Sequence, residues 1–196
     1  MIYLPKTFER YLSALRLYVQ LSCLKGGGLK QMSQLKTISL AEAFYYKNEL
    51  TPIDIIKLSN SLLGAAVIIL MQRGIRLSAV FSGGGVRLIS RRLYTALLSE
   101  LCKFSIDGCI IKVSTEPKKI IIKAEGVCFS DIIPRLIKAL KGFYFFEGAT
   151  NTLLIIIPSV ETELKSQPVE NEWCYILDRF SPVNIWLSNA KNSGKL

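Results

Sequence analysis

Glu100 and Lys103 stand three residues apart in the segment L-L-S-E-L-C-K-F-S, within a stretch that we expect to be helical. A carboxylate can ligate magnesium, so the two residues could be what remains of a metal and phosphate site. They could also form an ion pair on an exposed helix face, because side chains three residues apart on a helix are neighbours. We favour this second interpretation.

Other chemistry is restricted by composition. The 196 residues include no histidine, which excludes His-based acid–base catalysis, Ser–His or Cys–His nucleophile pairs and a phosphohistidine relay through this chain. The five cysteines are scattered and contain no CxxC pair, so we expect reduced, mostly buried thiols and no metal site. The glycine triplets 26–28 and 83–85 lack both P-loop and GxGxxG spacing and are predicted to be ordinary turns.

The net charge is +10, and the excess of Lys and Arg lies in residues 1–159. Such a basic surface favours an acidic partner, which could be nucleic acid, an acidic protein or an anionic membrane surface. Arg87, Arg91, Arg92 and Tyr94 could bind phosphate backbones, although a solvated helix face is the favoured interpretation. The longest apolar run, 62–71, is too short to span a bilayer, and no signal peptide is recognisable, so we expect a cytoplasmic protein without a transmembrane segment.

Apolar periodicity and turn residues predict an alternation of helices and strands. Helices are predicted over residues 7–24, 29–47, 54–73, 90–104 and 130–141, and strands over 50–53, 75–82, 86–89, 109–114, 120–124, 143–146 and 152–157. Ser90 and Ser130 are the predicted caps of the last two helices, and Asp107–Gly108 is a predicted turn. After Pro158 the sequence becomes polar, and Trp173 and Trp186 are expected either to pack this segment on the body or to anchor a partner.

The predicted fold class is α+β, with three parts. Residues 1–48 form a helical hairpin, residues 49–159 an α/β sandwich of helices over one sheet, and residues 160–196 a C-terminal extension. An isolated hairpin cannot bury both of its apolar stripes, so it should dock on the rest of the chain or pair with a second copy.

Four segments carry a resemblance to a known family: L-T-P-I-D at 50–54, Q-R-G-I at 72–75, the segment containing Glu100 at 97–105, and G-A-T-N-T-L at 148–153. In this order they resemble the core of a bacterial sensor histidine kinase, over about residues 6–158. That core is a dimerisation and phosphotransfer hairpin followed by an ATPase domain of the histidine-kinase and gyrase type. Y-L-S-A-L-R-L-Y at 11–18 is similar to the run that follows the phosphoacceptor histidine, which would place that histidine near Lys6.

The departures from this family decide what the resemblance implies. Glu100 stands where the family has the N-box asparagine that holds magnesium, and Ala124 replaces the aspartate that receives the adenine amino group. Lys103 and Gly126 are the retained positions, and almost nothing between Gly126 and Ser130 could serve as a nucleotide lid. The resemblance therefore implies no bound cofactor or metal, no catalytic residues and no ATP turnover.

We expect a non-catalytic, histidine-kinase-like regulatory protein that acts by binding. The hairpin 1–48 would form a homodimeric four-helix bundle, and a receiver-domain protein or an active kinase would bind around Lys6, Arg10 and Arg16. One alternative is a basic nucleic-acid-binding protein. The other is an enzyme with residual ATP binding through Glu100 and Lys103.

Overall fold

The structure is a computed structural model that describes residues 5–26 and 28–188. The helices are α1 Pro5–Leu24, α2 Leu29–Tyr45, α3 Ile55–Met71, α4 Arg91–Lys103, α5 Ile132–Ala139, α6 Glu172–Leu177 and α7 Pro182–Leu187. The strands are β1 Thr51–Asp54, β2 Leu77–Ser82, β3 Val86–Ile89, β4 Ser105–Glu116, β5 Lys119–Val127, β6 Phe143–Glu147, β7 Thr152–Pro158 and β8 Glu161–Thr162. The predicted helices and strands are all present, and the ends of the chain, residues 1–4 and 189–196, lie outside the described residues.

The first two helices form the predicted hairpin and pack against each other. The chain turns after α1 at Gly26, whose φ of +97° favours glycine. Leu12, Val19 and Cys23 are buried on α1, and Leu35 is buried on α2. α2 also packs on α4 and α7, so the hairpin is docked on the rest of the chain.

The main sheet has five strands in the order β2-β4-β5-β7-β6. β2 runs parallel to β4, and the other neighbours are antiparallel. Alternate residues of the central strands, such as Ile111, Ile122 and Ile155, are fully buried. The strands therefore have one face against the helices, which explains the period-2 pattern in the sequence.

β4 begins earlier than predicted and contains an irregularity. The strand starts at Ser105, and its register against β5 shifts between Ser105 and Ile110. The predicted Asp107–Gly108 turn lies inside this irregular part, where Gly108 has a φ of +83°. The Asp107 carboxylate bonds the Arg76 guanidinium at 2.8 and 3.0 Å, which fixes the bulge to the start of β2.

The segment after Pro158 returns across the body of the protein. β8 extends a small sheet of order β1-β3-β8, α6 packs on α3, and α7 packs on α4. α7 has Pro182 at its first turn, and the Ser181 hydroxyl accepts a hydrogen bond from the Asn184 amide, both typical of a helix start. None of the helices in the described residues has the length and hydropathy needed to cross a membrane.

Candidate functional site: the Glu100 cluster

Glu100 lies in the last turn of α4, a helix that is buried along most of its length. Its side chain is completely inaccessible to solvent. The predicted ion pair with Lys103 on an exposed helix face is therefore wrong. The reason is α7, which covers the side of α4 that the sequence alone would leave in solvent.

Three side chains donate hydrogen bonds to the Glu100 carboxylate. Lys36 Nζ lies 2.6 Å and Trp186 Nε1 lies 2.9 Å from Oε2. Ser130 Oγ lies 3.1 Å from Oε1. We call Lys36, Glu100, Ser130 and Trp186 the Glu100 cluster. A buried carboxylate is tolerated only when charge and hydrogen bonds replace its water, and this cluster supplies both.

Lys36 supplies the positive charge of the cluster. Burial lowers the pKa of its ammonium, the hydrogen bond and charge of Glu100 oppose that shift, and the nearby charge of Lys103 lowers the pKa further. The ammonium also lies 5.6 Å from the centre of the Trp186 ring. The cation that contacts the Glu100 carboxylate is therefore the ammonium group of Lys36, which belongs to the chain itself.

Lys103, the other predicted remnant, does not bond Glu100. Its ammonium lies 5.5 Å from the centre of the Phe104 ring and close enough to Lys36 to repel it. The structure thus places Lys103 near the cluster as a second positive charge that does not contact Glu100.

Ser130 has a different role from the predicted one. α5 begins at Ile132 with Asp131 at the N-cap, and the Ser130 hydroxyl donates to Glu100 instead of capping the helix. A hydrogen bond to an ionised acceptor is stronger than one between neutral groups, which favours the orientation of the hydroxyl toward Glu100. The predicted cap Ser90 does occupy the N-cap position of α4, but its side chain makes no capping hydrogen bond.

Ala124 and Gly126 lie on β5, and both are closed in by the chain. Ala124 is fully buried and pairs with Ile111 and Leu153 on the neighbouring strands. Gly126 has a φ of +79°, and a Cβ there would lie 3.2 Å from Ile106 Cγ1. Only residues 128–131 connect β5 to α5, so this connection is too short for a lid.

The Glu100 carboxylate is therefore not free to act as a metal ligand in this arrangement. Both oxygens of Glu100 are occupied by donors of the chain, and no polar side chain stands at position 124. Within the described residues, no group of three or more Cys, Asp or Glu side chains could hold a metal ion.

The residues predicted to bind a partner are only partly together. Lys6 and Arg10 are exposed on α1, whereas Arg16 forms an ion pair with Glu42 of α2. The interpretation of Arg87 and Tyr94 as part of a solvated helix face is wrong. Arg87 is a buried residue of β3 that donates to the Pro117 carbonyl at 3.0 Å, and the Tyr94 hydroxyl bonds Ser59 inside the core at 2.7 Å.

The two tryptophans of the C-terminal extension differ in environment. Trp186 is buried against α4, so it packs the extension on the body, while Trp173 remains 56% exposed. Sequence reasoning missed the link between Trp186 and Glu100, although the apolar run that contains Trp186 indicated local burial. The contacts of Lys36 and Trp186 with Glu100 cross both predicted domain boundaries.

With this geometry in hand, the chain can be compared with known proteins. No protein-family model matches the sequence, and no curated protein is significantly similar to it. Full-length ShkA in complex with AMPPNP superposes on 81% of this chain and on 46% of its own, with a TM-score of 0.54 and 13% identity. The chain thus spans about half the length of ShkA. The fold resembles that of a histidine-kinase core.

Two further solved structures are histidine kinases by name. AdeS of Acinetobacter baumannii has a TM-score of 0.46 and 13% identity, covering 79% of this chain and 97% of its own. The cytoplasmic segment of QseC has a TM-score of 0.42 and 16% identity, covering 74% and 91%. Of the three, only the superposition on ShkA has a TM-score high enough to bear on the fold. The predicted fold class, a helical hairpin followed by a histidine-kinase-type α/β domain, is confirmed.

Proposed function

We propose that this chain is a non-catalytic, histidine-kinase-like regulatory protein that acts by binding a receiver-domain protein or a kinase in two-component signalling. The observation that carries this proposal is the Glu100 cluster. At the position where the resemblance places a magnesium ligand, the carboxylate is bonded by Lys36, Ser130 and Trp186. The sequence also contains no histidine to accept a phosphoryl group.

The nucleotide part of the proposal is tested by calorimetry of the full chain with magnesium-ATP. No saturable heat is expected, because a triphosphate would have to displace three donors from a buried carboxylate. Saturable binding that is lost when Lys103 is replaced by Gln would instead support the alternative of residual ATP binding.

Dimerisation through the hairpin is supported by an apolar stripe on the outer face of α1. Its large side chains are 49–70% exposed, which is unusual for five apolar residues on one helix. They are Tyr11, Leu17, Tyr18, Leu21 and Leu24. A second copy that presents the same stripe would bury both and complete a four-helix bundle.

Light scattering of the full chain should give the mass of a dimer. Replacing Tyr18 and Leu21 together by Glu should give a monomer, because two carboxylates would be buried at the centre of the stripe. The control is Val80→Glu, which places a carboxylate on a half-exposed apolar residue of the sheet. A monomeric parent protein would contradict the dimer.

A receiver-domain partner is proposed to contact the start of α1. Lys6 and Arg10 are exposed there, whereas Arg16 is held by Glu42, so the first two are the cations free to meet an acidic pocket. Lys6→Glu with Arg10→Glu should abolish capture of a purified receiver-domain protein, while Lys138→Glu, at an exposed position on α5, should not. Capture of DNA with a steep loss in salt, and of no receiver domain, would favour the nucleic-acid alternative.

A further inference from the structure

A cavity lies at the end of the main sheet where β4 turns into β5. Its volume is about 550 Å³, within the range of roughly 300–1,000 Å³ that small-molecule sites occupy. It is bounded by Lys47 after α2, Lys118 in the turn between β4 and β5, Lys141 after α5, and Ser159 after β7. Lys118 precedes β5 and Gly126 lies near its end, so roughly 20–25 Å of strand separates this cavity from the Ala124 region.

The rim of the cavity carries uncompensated positive charge. Among the described residues, none forms an ion pair with Lys47, Lys118 or Lys141. One carboxylate, that of Glu161, also lines the cavity, but it lies 3.5 Å from the buried guanidinium of Arg87. Three free ammonium groups around one concave surface favour an anion.

Lys141, on the rim of the cavity, has an unfavourable backbone conformation. Its φ is +58°, in the left-handed region that usually selects glycine after a helix. The Gly142 amide donates to the Ile137 carbonyl at 2.8 Å, which closes the end of α5 and fixes this conformation. A non-glycine residue in this strained conformation supports a functional role for its side chain.

The wall of the cavity contains a hydroxyl without a partner. Ser159 is only 7% exposed, and its hydroxyl has no hydrogen-bond partner among the described residues. Buried hydroxyls are normally bonded, so this unbonded donor in the wall of the cavity favours a bound acceptor; because solvent does not reach the oxygen, the ligand has to shift the groups that cover it. Ser90, which is 2% exposed and makes no capping bond, lines the same cavity at the start of α4.

The remaining lining is apolar and partly open to solvent. Leu50 is 58%, Leu88 41% and Val160 70% exposed, and all three stand at the cavity. A ligand that carries only charge would leave this surface uncovered. An apolar or aromatic group attached to the anion would cover it and gain free energy from burial.

We propose that this cavity binds a small phosphomonoester with an apolar or aromatic body. The phosphate lies between the ammonium groups of Lys47, Lys118 and Lys141 and accepts the hydrogen bond of the Ser159 hydroxyl. The body of the ligand covers Leu50, Leu88 and Val160. Because Lys47 follows the hairpin while Lys118 and Lys141 belong to the sheet and its helices, the bound ligand connects these two parts.

The test is calorimetry and thermal unfolding of the full chain with phenyl phosphate as the probe. We expect one saturable site and a midpoint of unfolding that rises with phenyl phosphate concentration, because a ligand that binds only the folded chain stabilises it. Inorganic phosphate should bind about tenfold more weakly, since it lacks the apolar body. No saturable binding of phenyl phosphate, or equal binding of both anions, would overturn the proposal.

Substitutions of single lysines distinguish a specific binding site from a general attraction of anions to the basic surface. Lys118→Gln and Lys141→Gln should each weaken phenyl phosphate binding about tenfold, as expected for loss of one charged contact of roughly 1.4 kcal/mol. Lys57→Gln removes an equal charge from an exposed position on α3 and should leave binding unchanged. Equal weakening by Lys57→Gln and Lys118→Gln would show that only net charge matters.

Ser159→Ala tests the binding site in a variant that should keep the stability of the parent protein. The hydroxyl has no partner among the described residues, so its removal should leave the midpoint of unfolding without ligand unchanged or slightly higher. Binding of phenyl phosphate should nevertheless weaken severalfold. Unchanged affinity in this variant would remove Ser159 from the site and contradict the proposed arrangement.

Discussion

The indole Nε1 of Trp186 donates a hydrogen bond of 2.9 Å to Oε2 of Glu100, and both side chains are buried. The same oxygen accepts from Lys36, so one atom joins the hairpin, the α/β domain and the C-terminal extension. In an enzyme of the resembling family, a ligand would be expected at this position. Here the position links three parts of the chain through side-chain hydrogen bonds.

Replacing Trp186 by Phe should lower the free energy of unfolding by about 2–4 kcal/mol. The variant loses a hydrogen bond to a buried charge, and the smaller ring leaves space. Urea unfolding measures the change. Trp173→Phe is the matched control, because Trp173 is 56% exposed and should change stability by less than about 0.5 kcal/mol. Equal effects of the two substitutions would contradict the role of Trp186.

Lys36→Met should lower the free energy of unfolding by about 3–5 kcal/mol, because it leaves the Glu100 carboxylate buried without a cation. Adding Glu100→Gln to this variant should restore part of the loss, and the double-mutant cycle measures the coupling. Lys103→Met should change little, since Lys103 does not bond Glu100. A larger coupling free energy between Glu100 and Lys103 than between Glu100 and Lys36 would contradict this arrangement and support the ion pair expected from the sequence.

Alanine substitutions at three glycines distinguish the cost of backbone strain from the cost of a steric contact. Gly84→Ala should be nearly neutral, because a Cβ there meets nothing within 4 Å and φ is not positive. Gly108→Ala should lower the free energy of unfolding by about 1–2 kcal/mol. The whole loss comes from the φ of +83°, because a Cβ at this position also meets nothing within 4 Å. Gly126→Ala should cost more than Gly108→Ala, because it adds the contact with Ile106. Urea unfolding that ranks Gly126→Ala at or below Gly108→Ala would argue against the close packing at β5.

Stability should fall in alkaline solution. Burial raises the pKa of the Cys109 thiol from its ordinary 9.0 to about 11. Between these values the unfolded chain loses a proton that the folded chain keeps, so the free energy of unfolding falls as pH rises, by at most about 1.4 kcal/mol per pH unit for one thiol. Below pH 9 this contribution is fully present.

Urea unfolding at pH 8, 9 and 10 measures this fall. Cys109→Ala should make the fall shallower, whereas Cys174→Ala, at an exposed position on α6, should leave it unchanged. An identical pH dependence in both variants would show that Cys109 does not contribute.

The helices and strands could be predicted because each carries its own signal in neighbouring residues. Ile120, Ile122 and Ala124 alternate with exposed or half-exposed side chains, and this pattern identifies a strand without knowledge of its partners. The environment of Glu100 could not be predicted in this way. Its partners Lys36 and Trp186 lie 64 and 86 residues away, and nothing local indicates that a helix beyond Pro158 will cover α4.

The cavity bounded by Lys47, Lys118 and Lys141 could not be predicted from the sequence either. Lys47, Lys118 and Lys141 are scattered along the chain, and no local pattern joins them. They meet because the end of α2, the β4–β5 turn and the end of α5 converge on β7. The left-handed conformation of Lys141 has no clear sequence signal, since Gly142, one residue later, is where a helix-ending glycine is expected.

The position of Trp186 has a consequence for the order in which the protein matures. Domains generally fold from the N-terminus as they leave the ribosome. Here α4 is synthesised long before α7, and Glu100 lacks one of its three donors until Trp186 has emerged. The packing around this carboxylate is therefore completed only after α7 has been translated.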